Sequence, residues 1–170
     1  MKKVFFLLVL ATVAVGLSKT YAQSTALKGI KDDSDFYKFA TLVRQANMDA
    51  TLNALGSFTM FAPDNTTFRE MPGDKLDSIA ADPAKLTALL KAHIVKGKFT
   101  TNEIIKKLTL GKGKTTLTNL LGQTLKLSRT PDNKLLITDA NGDQVHFLAF
   151  DMPDAHGVIH GIDHLLVAGK

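Results

Sequence analysis

Phe58-Thr59-Met60-Phe61-Ala62-Pro63-Asp64-Asn65-Thr66-Thr67-Phe68 is the stretch that decides how this chain folds. Phe58 to Ala62 is apolar apart from Thr59, and aromatic residues favour a pleated, buried surface, so the run predicts a short core strand. Pro63 has no amide to give to a ladder and ends that strand. Asp64 then stands where a helix N-cap belongs, its carboxylate placed to accept from the free amides of the first turn. Phe68 returns to the core on the inner side of that helix. Both ends of this strand-turn-helix unit must be buried, which puts it at the centre of its domain.

A second apolar stretch closes the chain: Gly157-Val158-Ile159-His160-Gly161-Ile162-Asp163-His164-Leu165-Leu166-Val167. Between the two lies Leu89-Leu90-Lys91-Ala92-His93-Ile94-Val95-Lys96-Gly97-Lys98. Taken in order, these segments resemble the fasciclin (FAS1) family over roughly residues 25 to 170. Thr59 to Phe68 is similar to the family's first signature, Gly157 to Val167 to its second, and Leu89 to Lys98 to its central tyrosine-histidine segment. Phe61, Pro63, Asp64, Phe68, His93, Gly157, His160 and Asp163 are the motif positions carried over. Ala92 replaces the usual tyrosine, His156 the usual asparagine, and Met152 the isoleucine of an Asp-Ile pair. The resemblance implies a compact antiparallel β-sandwich wedge with several helices along one edge, acting as a non-catalytic adhesion or interaction module.

The first 22 residues read as a signal peptide. Lys2 and Lys3 precede an apolar run from Val4 to Leu17, and Ser18-Lys19-Thr20-Tyr21-Ala22 supplies a small residue for cleavage. A membrane span needs about 20 apolar residues, and this run is shorter. Residues 23–170 are then one domain, exported to the periplasm or the extracellular space, with no stable membrane insertion after cleavage. Three of the 21 basic residues lie in the leader while all 16 acids lie beyond it, so residues 23–170 carry a net +2. That balance gives no reason to expect nucleic acid as a partner. The chain has no cysteine, so a packed core replaces any disulfide framework.

Along the chain, Phe36, Phe39, Ala40 and Val43 follow a cap at Asp33 or Ser34 with helical spacing. A short helical turn around Ala50 to Leu55 ends at Gly56, and Met71-Pro72-Gly73 breaks the helix begun at Asp64. Asp82 caps another helix with Pro83 at its first position, and Leu86, Leu89, Leu90 and His93 form its apolar face. Thr100 and Glu103 have the spacing of a capping box, with Ile104, Ile105 and Leu108 behind them. From Thr115 the period changes to two: strands over 115–119, 123–129, 134–138 and 144–150, separated by Pro131-Asp132-Asn133 and Asn141-Gly142 turns. Helices first and strands later predict an α+β domain whose antiparallel sheet is closed by the early strand and the C-terminal one.

Several stretches imitate catalytic or metal-binding motifs. Gly113-Lys114-Thr115 lacks the glycine that a phosphate-binding loop needs five residues earlier, where Leu108 stands. Asp139, Asn141 and Asp143 start like a calcium loop, but Gln144 and Phe150 occupy the glycine and glutamate positions, so a hairpin turn is expected. His156, His160 and His164 would stripe a helix, yet the glycines and β-branched residues around them predict a strand, where the outer two are too far apart for one ion. His93 reads as a structural histidine bonded to nearby backbone. No metal, cofactor or catalytic residue is expected. Asn65-Thr66-Thr67 is a glycosylation sequon.

Two partner surfaces are expected. Asp151-Met152-Pro153-Asp154 interrupts two strands, and Pro153 keeps it out of a central ladder, so it should form an edge with its acids in solvent and Met152 partly exposed. It occupies the place of the Asp-Ile pair that the resemblance links to receptor binding, which points to a cell-surface or matrix protein. The alternative is an anionic polysaccharide or small ligand held by Lys106, Lys107, Lys112 and Lys114 within the lysine-rich 96–114 region. Self-association through either surface would be weak. The leader makes one prediction that intact mass decides: the exported protein begins at Gln23, and a membrane-retained species keeping residues 1–22 would overturn it.

Overall fold

The strand predicted from Phe58 is β1 (Phe58–Pro63), and all six of its residues are buried. The computed structural model describes Leu27 and residues 30–167; the predicted leader and its cleavage point lie outside the described residues. Before β1 come α1 (Tyr37–Gln45) and α2 (Asp49–Leu55). After it come α3 (Asn65–Arg69), α4 (Gly73–Ala81), α5 (Pro83–Ala92), β2 (Ile94–Lys96) and α6 (Thr101–Leu110). The chain then turns to strands: β3 (Lys114–Thr118), β4 (Thr124–Arg129), β5 (Leu135–Thr138), β6 (Gln144–Pro153) and β7 (Gly157–Ile162). The class is α+β. The sequence reading did not resolve α4 or the three-residue β2, whose patterns are too short to show a period.

The sheet runs β2-β1-β7-β6-β5-β4-β3. All but one of its pairings are antiparallel; β1 and β7 run parallel, with Phe58 opposite Gly157 through to Pro63 opposite Ile162. This corrects the expected all-antiparallel sheet. The long crossover between β1 and β7 has room for either direction, so no tight turn dictates it. At the far ends, a bridge between Val95 and Asn119 and the Leu120 amide bonded to the Ile94 carbonyl bring β2 and β3 together. The sheet therefore folds back on itself.

β1 separates two cores. Phe58, Met60 and Ala62 face a cluster built from α1, α2, α3 and α5, with Leu76 and Ile79 of α4 at its margin. Phe61 faces the other cluster, which joins Leu117, Leu125, Leu127, Ile137 and Val145 to Ile104 and Leu108 of α6. Strict alternation along the strand assigns each side chain to its layer. Five helices thus contribute to the first cluster and α6 to the second. Each fully buried large apolar side chain contributes about 1.5–3 kcal/mol relative to exposure. Two glycines in β7 permit the close packing: a Cβ on Gly157 would lie 2.6 Å from the Phe58 carbonyl oxygen, and one on Gly161 would lie 2.2 Å from the Phe36 ring.

Three of the four predicted N-caps hold. Asp64 Oδ1 accepts from the Thr67 amide at 2.8 Å, and Asp82 caps α5 ahead of Pro83. Thr100 and Glu103 close their reciprocal box at the start of α6. The exception is α1. Its N-cap is Phe36, with no side-chain cap of its own, instead of Asp33 or Ser34. Burial of Ile30 and Phe36 pulls that segment into turns, and Asn65 serves α1 from a distance. The Asn65 Oδ1 accepts from the Lys38 amide at 2.9 Å, while its Nδ2 donates to the Ser34 carbonyl at 3.0 Å. The sequon asparagine is therefore a structural brace.

His93 ends α5 and is fully buried. Its Nε2 accepts from the Leu166 amide at 2.9 Å, so its proton sits on Nδ1 and is donated to the Leu89 carbonyl at 2.8 Å. The Phe39 ring packs on it at 5.2 Å, and its own carbonyl receives the Phe61 amide. Burial lowers its pKa from the usual 6.5 to about 4, against the opposing bond to Leu89.

Two predictions follow from these contacts. Asp64→Ala removes the α3 cap and should cost about 1 kcal/mol in denaturant melts; an unchanged midpoint would mean that the cap carries nothing. For His93, the unfolded ring takes a proton near pH 6.5 and the folded ring only near 4. Its contribution is therefore complete above pH 6.5 and falls away as the pH drops toward 4, by about 3 kcal/mol at 1.36 kcal/mol per unit. Denaturation at pH 7 and pH 4.5 should show a smaller loss for His93→Gln than for the wild type. Equal losses would rule the coupling out.

Candidate functional site

The segment predicted to interrupt two strands, residues 151–154, instead continues β6 as far as Pro153. Met152 and Pro153 pair with Ile159 and Val158 of β7, and two β-bulges shape the second half of β6. Phe147 pairs with Ile162 and Ala149 with Gly161, so Leu148 is one residue too many. Ala149 to Met152 then spans three steps against two between Gly161 and Ile159, which adds another. Bulges bend a strand and re-aim its side chains. Here they push Leu148 and Phe150 outward, at 53% and 45% exposure. On its other side β6 pairs with β5 only as far as His146, so residues 147–153 have no strand partner there and the start of α6 lies beside them.

Asp151 and Met152 sit on this edge with unequal freedom. Asp151 has a left-handed backbone at φ 53°, uncommon for a residue with a Cβ. Its Oδ1 accepts from the Thr101 amide at 2.9 Å in the first turn of α6. Its amide donates to His160 Nδ1 at 3.3 Å. Met152 is half-buried against the helical core. Asp154 accepts the Leu27 and His156 amides and is half-buried too, which corrects the expectation that it stands in solvent; Asp151 is exposed as expected, and both carboxylates cap backbone. Backbone amides that would otherwise lack partners draw them in.

His160 ties this edge to the core. Its Nε2 donates to the Phe99 carbonyl at 2.8 Å, and its ring lies within 6.3 Å of Phe61, Phe147 and Phe150. Burial lowers its pKa, opposed by the Phe99 bond and by Asp151. Asp163 faces the other way, accepting from the His146 amide at 2.8 Å, His146 Nδ1 at 3.0 Å and His164 Nδ1 at 3.0 Å. Partial burial would raise its pKa, but the bonds from His164 and His146 prevail and hold it low. Among the described residues no three His, Cys, Asp or Glu side chains are grouped to hold a metal ion. Asp139 forms a hairpin turn, its Oδ1 accepting the Asn141 and Asp143 amides and its Oδ2 the Val167 amide.

The lysine region lies elsewhere. Lys106 and Lys107 are exposed on α6, Lys112 in the turn that follows and Lys114 at the start of β3. Lys107 sits 5.2 Å over the Phe99 ring. Glu103, the acid nearest them in sequence, is occupied by the α6 capping box. None of the four makes an ion pair among the described residues. Asp151 connects the two surfaces, since it caps the helix that carries Lys106 and Lys107.

Sequence reasoning missed Leu148, Phe150 and Arg129. Four consecutive apolar residues, Phe147 to Phe150, break the two-residue alternation of β6, and that run was the available sign of a bulge. Arg129 carried no sign, because its neighbours come from distant segments.

Known proteins share this architecture. A Fasciclin domain model matches residues 34–168. Transforming growth factor-beta-induced protein ig-h3 of Sus scrofa is 29% identical over 81% of this chain, and human periostin is 25% identical over 85%. The chain spans only 18% and 16% of those two proteins. It spans 92% of protein sll1735 of Synechocystis, with 26% identity over 81% of its own length. Among solved structures, a FAS1 domain pair from the insect cell adhesion molecule fasciclin I matches 80% of this chain and 46% of its own, with a TM-score of 0.63. At 18% identity that is a likeness of fold. No helix among the described residues is long and apolar enough to cross a membrane. The two signatures flank a sheet whose parallel β1–β7 pair joins them, the family model spans both, and the chain belongs to the fasciclin domain family.

Proposed function

We propose that this chain is an exported, non-catalytic adhesion module that binds a cell-surface or matrix protein through the bulged edge of β6. The observation that carries the reading is the exposure of Leu148 and Phe150 on a bulged stretch of β6 that has no strand partner on its β5 side. Apolar side chains set among polar neighbours are where protein partners gain most of their binding energy. Family membership supports the adhesive role, as does the likeness of fold to an insect cell adhesion molecule. The buried histidines, His93 and His160, spend both ring nitrogens on backbone, which supports a structural role for each over acid-base work. Asp151 serves the edge by holding it against α6, with Met152 as its inner support.

A second reading rests on Lys106, Lys107, Lys112 and Lys114, four exposed cations without ion-pair partners among the described residues. These would suit an anionic polysaccharide, and binding through them should weaken steeply with salt.

Asp151→Ala is a poor probe of either reading because it also takes the partner from the Thr101 amide at the start of α6. The cleaner comparison measures binding to immobilised matrix proteins and to heparin, at low and high salt, for three proteins. These are the wild type, Leu148→Ser with Phe150→Ser, and a variant with the four lysines changed to glutamine. The edge variant should lose about tenfold or more in matrix-protein affinity and keep its fold. If only the lysine variant loses binding, and salt abolishes it in the wild type, the basic face is the site and the β6 edge is not.

A further inference from the structure

β5 and β6 part after His146. Leu136 still pairs with His146, but the next residue of β6, Phe147, pairs only with Ile162 of β7. Where the ladder stops, the first half of α6 stands beside the gap in place of another strand. A cleft of about 470 Å³ remains between α6, the β4–β5 hairpin and β6. Ligand sites for small molecules fall in this range of volume.

The apolar part of the lining is Ile105 of α6, Leu135 of β5, and Phe147 and Phe150 of β6, and Thr101 and His146 complete it beside the polar residues of the β4–β5 hairpin. Phe147 and Phe150 lie nearly parallel, 10° apart with centroids at 5.3 Å, and form a stacked aromatic surface of which Phe150 is exposed and Phe147 half-buried. The second bulge creates that surface by turning Phe150 out of the alternation. Arg129, the last residue of β4, lines the same cleft. Its guanidinium donates to the neutral Asn133 Oδ1 at 2.7 Å and has no carboxylate partner among the described residues. The neighbouring Lys134 is neutralised by Asp132 at 2.8 Å. Four of the five guanidinium donors of Arg129 remain for a ligand, in the fork geometry that suits a carboxylate.

We propose that this cleft binds a small amphiphilic anion, an aromatic or alkyl carboxylate. Its apolar body lies on Phe147 and Phe150, and its carboxylate pairs with Arg129. Apolar walls disfavour a bare sugar, and the unpaired guanidinium disfavours a cation. The site is separate from the lysine face. It shares Phe150 with the adhesive edge, but the first bulge sends Leu148 to a different side of β6, beside Asp64 and Arg69.

The probe is naphthalene-2-carboxylate, titrated into the protein and followed by amide and methyl NMR shifts, with uncharged naphthalene-2-methanol as the comparison. Saturable shifts are expected at Ile105, Leu135, Phe147 and Phe150. Affinity should fall about tenfold for the alcohol and by a similar factor for Arg129→Gln, an exposed substitution checked by thermal melt. Ile105→Trp, which fills the cleft, should abolish the shifts. Leu148→Ser should leave them intact, which separates this site from the adhesive edge. The proposal is overturned if nothing saturates at millimolar probe, if the shifts map elsewhere, or if Arg129→Gln binds as the wild type does.

Discussion

The parallel pairing of β1 with β7 is the constraint on which the rest of the molecule depends. Two six-residue strands, buried along their whole length, lie side by side between two cores, so each residue must be apolar, small or, like Thr59 and His160, hydrogen-bonded within the protein. Phe58 rests against Gly157 and Phe36 against Gly161, and at both places only a glycine leaves room. The helical layer packs on one side of this pair, and the β3–β5 strands with α6 pack on the other. The strand-turn-helix after Phe61 is locked to the same pair, since the Asp64 amide donates to the Ile162 carbonyl and the Thr67 hydroxyl lies 2.8 Å from the Asp163 carbonyl.

Buried polar groups do the fastening in this chain, which has no cysteine for disulfides. Thr59 donates to the Gly97 carbonyl and accepts from the Phe99 amide, fixing the loop between β2 and α6. Asn119 spends its side chain on the Ala92 carbonyl and on the Leu121 and Gln123 amides, holding the place where the sheet folds back. His93 and His160 each bridge two segments distant in sequence. Such groups contribute modestly when paired but cost about 1–3 kcal/mol each when a partner is lost, so they specify one arrangement more than they add stability.

The proposed binding surfaces lie where the sheet is irregular. β6 serves two neighbours in turn, β5 with its first residues and β7 with its later ones, and the bulges accommodate the change. They expose Leu148 and Phe150, give Asp151 its left-handed backbone and leave the cleft beside Arg129. An edge strand carrying apolar residues invites unwanted pairing, and twisting it with bulges is a recognised protection. The feature that guards the edge is the one that presents its side chains.

What the sequence determined by itself was whatever neighbouring residues decide together. The β1 strand, its end at Pro63, the Asp64, Asp82 and Thr100–Glu103 caps, the hairpin at Asp139 and the change from helical to strand period were all legible, because each depends on contacts within a few residues. The family motifs extended that reading to the fold class. Tertiary structure alone decided the parallel direction of β7, the capping of α1 by Asn65 in place of Asp33 or Ser34, and the use of Asp151 to cap α6. It also decided the meeting of Arg129 with Phe147 and Phe150. Those outcomes join segments tens of residues apart, and what selects among them is the demand that every buried amide find a partner and every buried volume be filled.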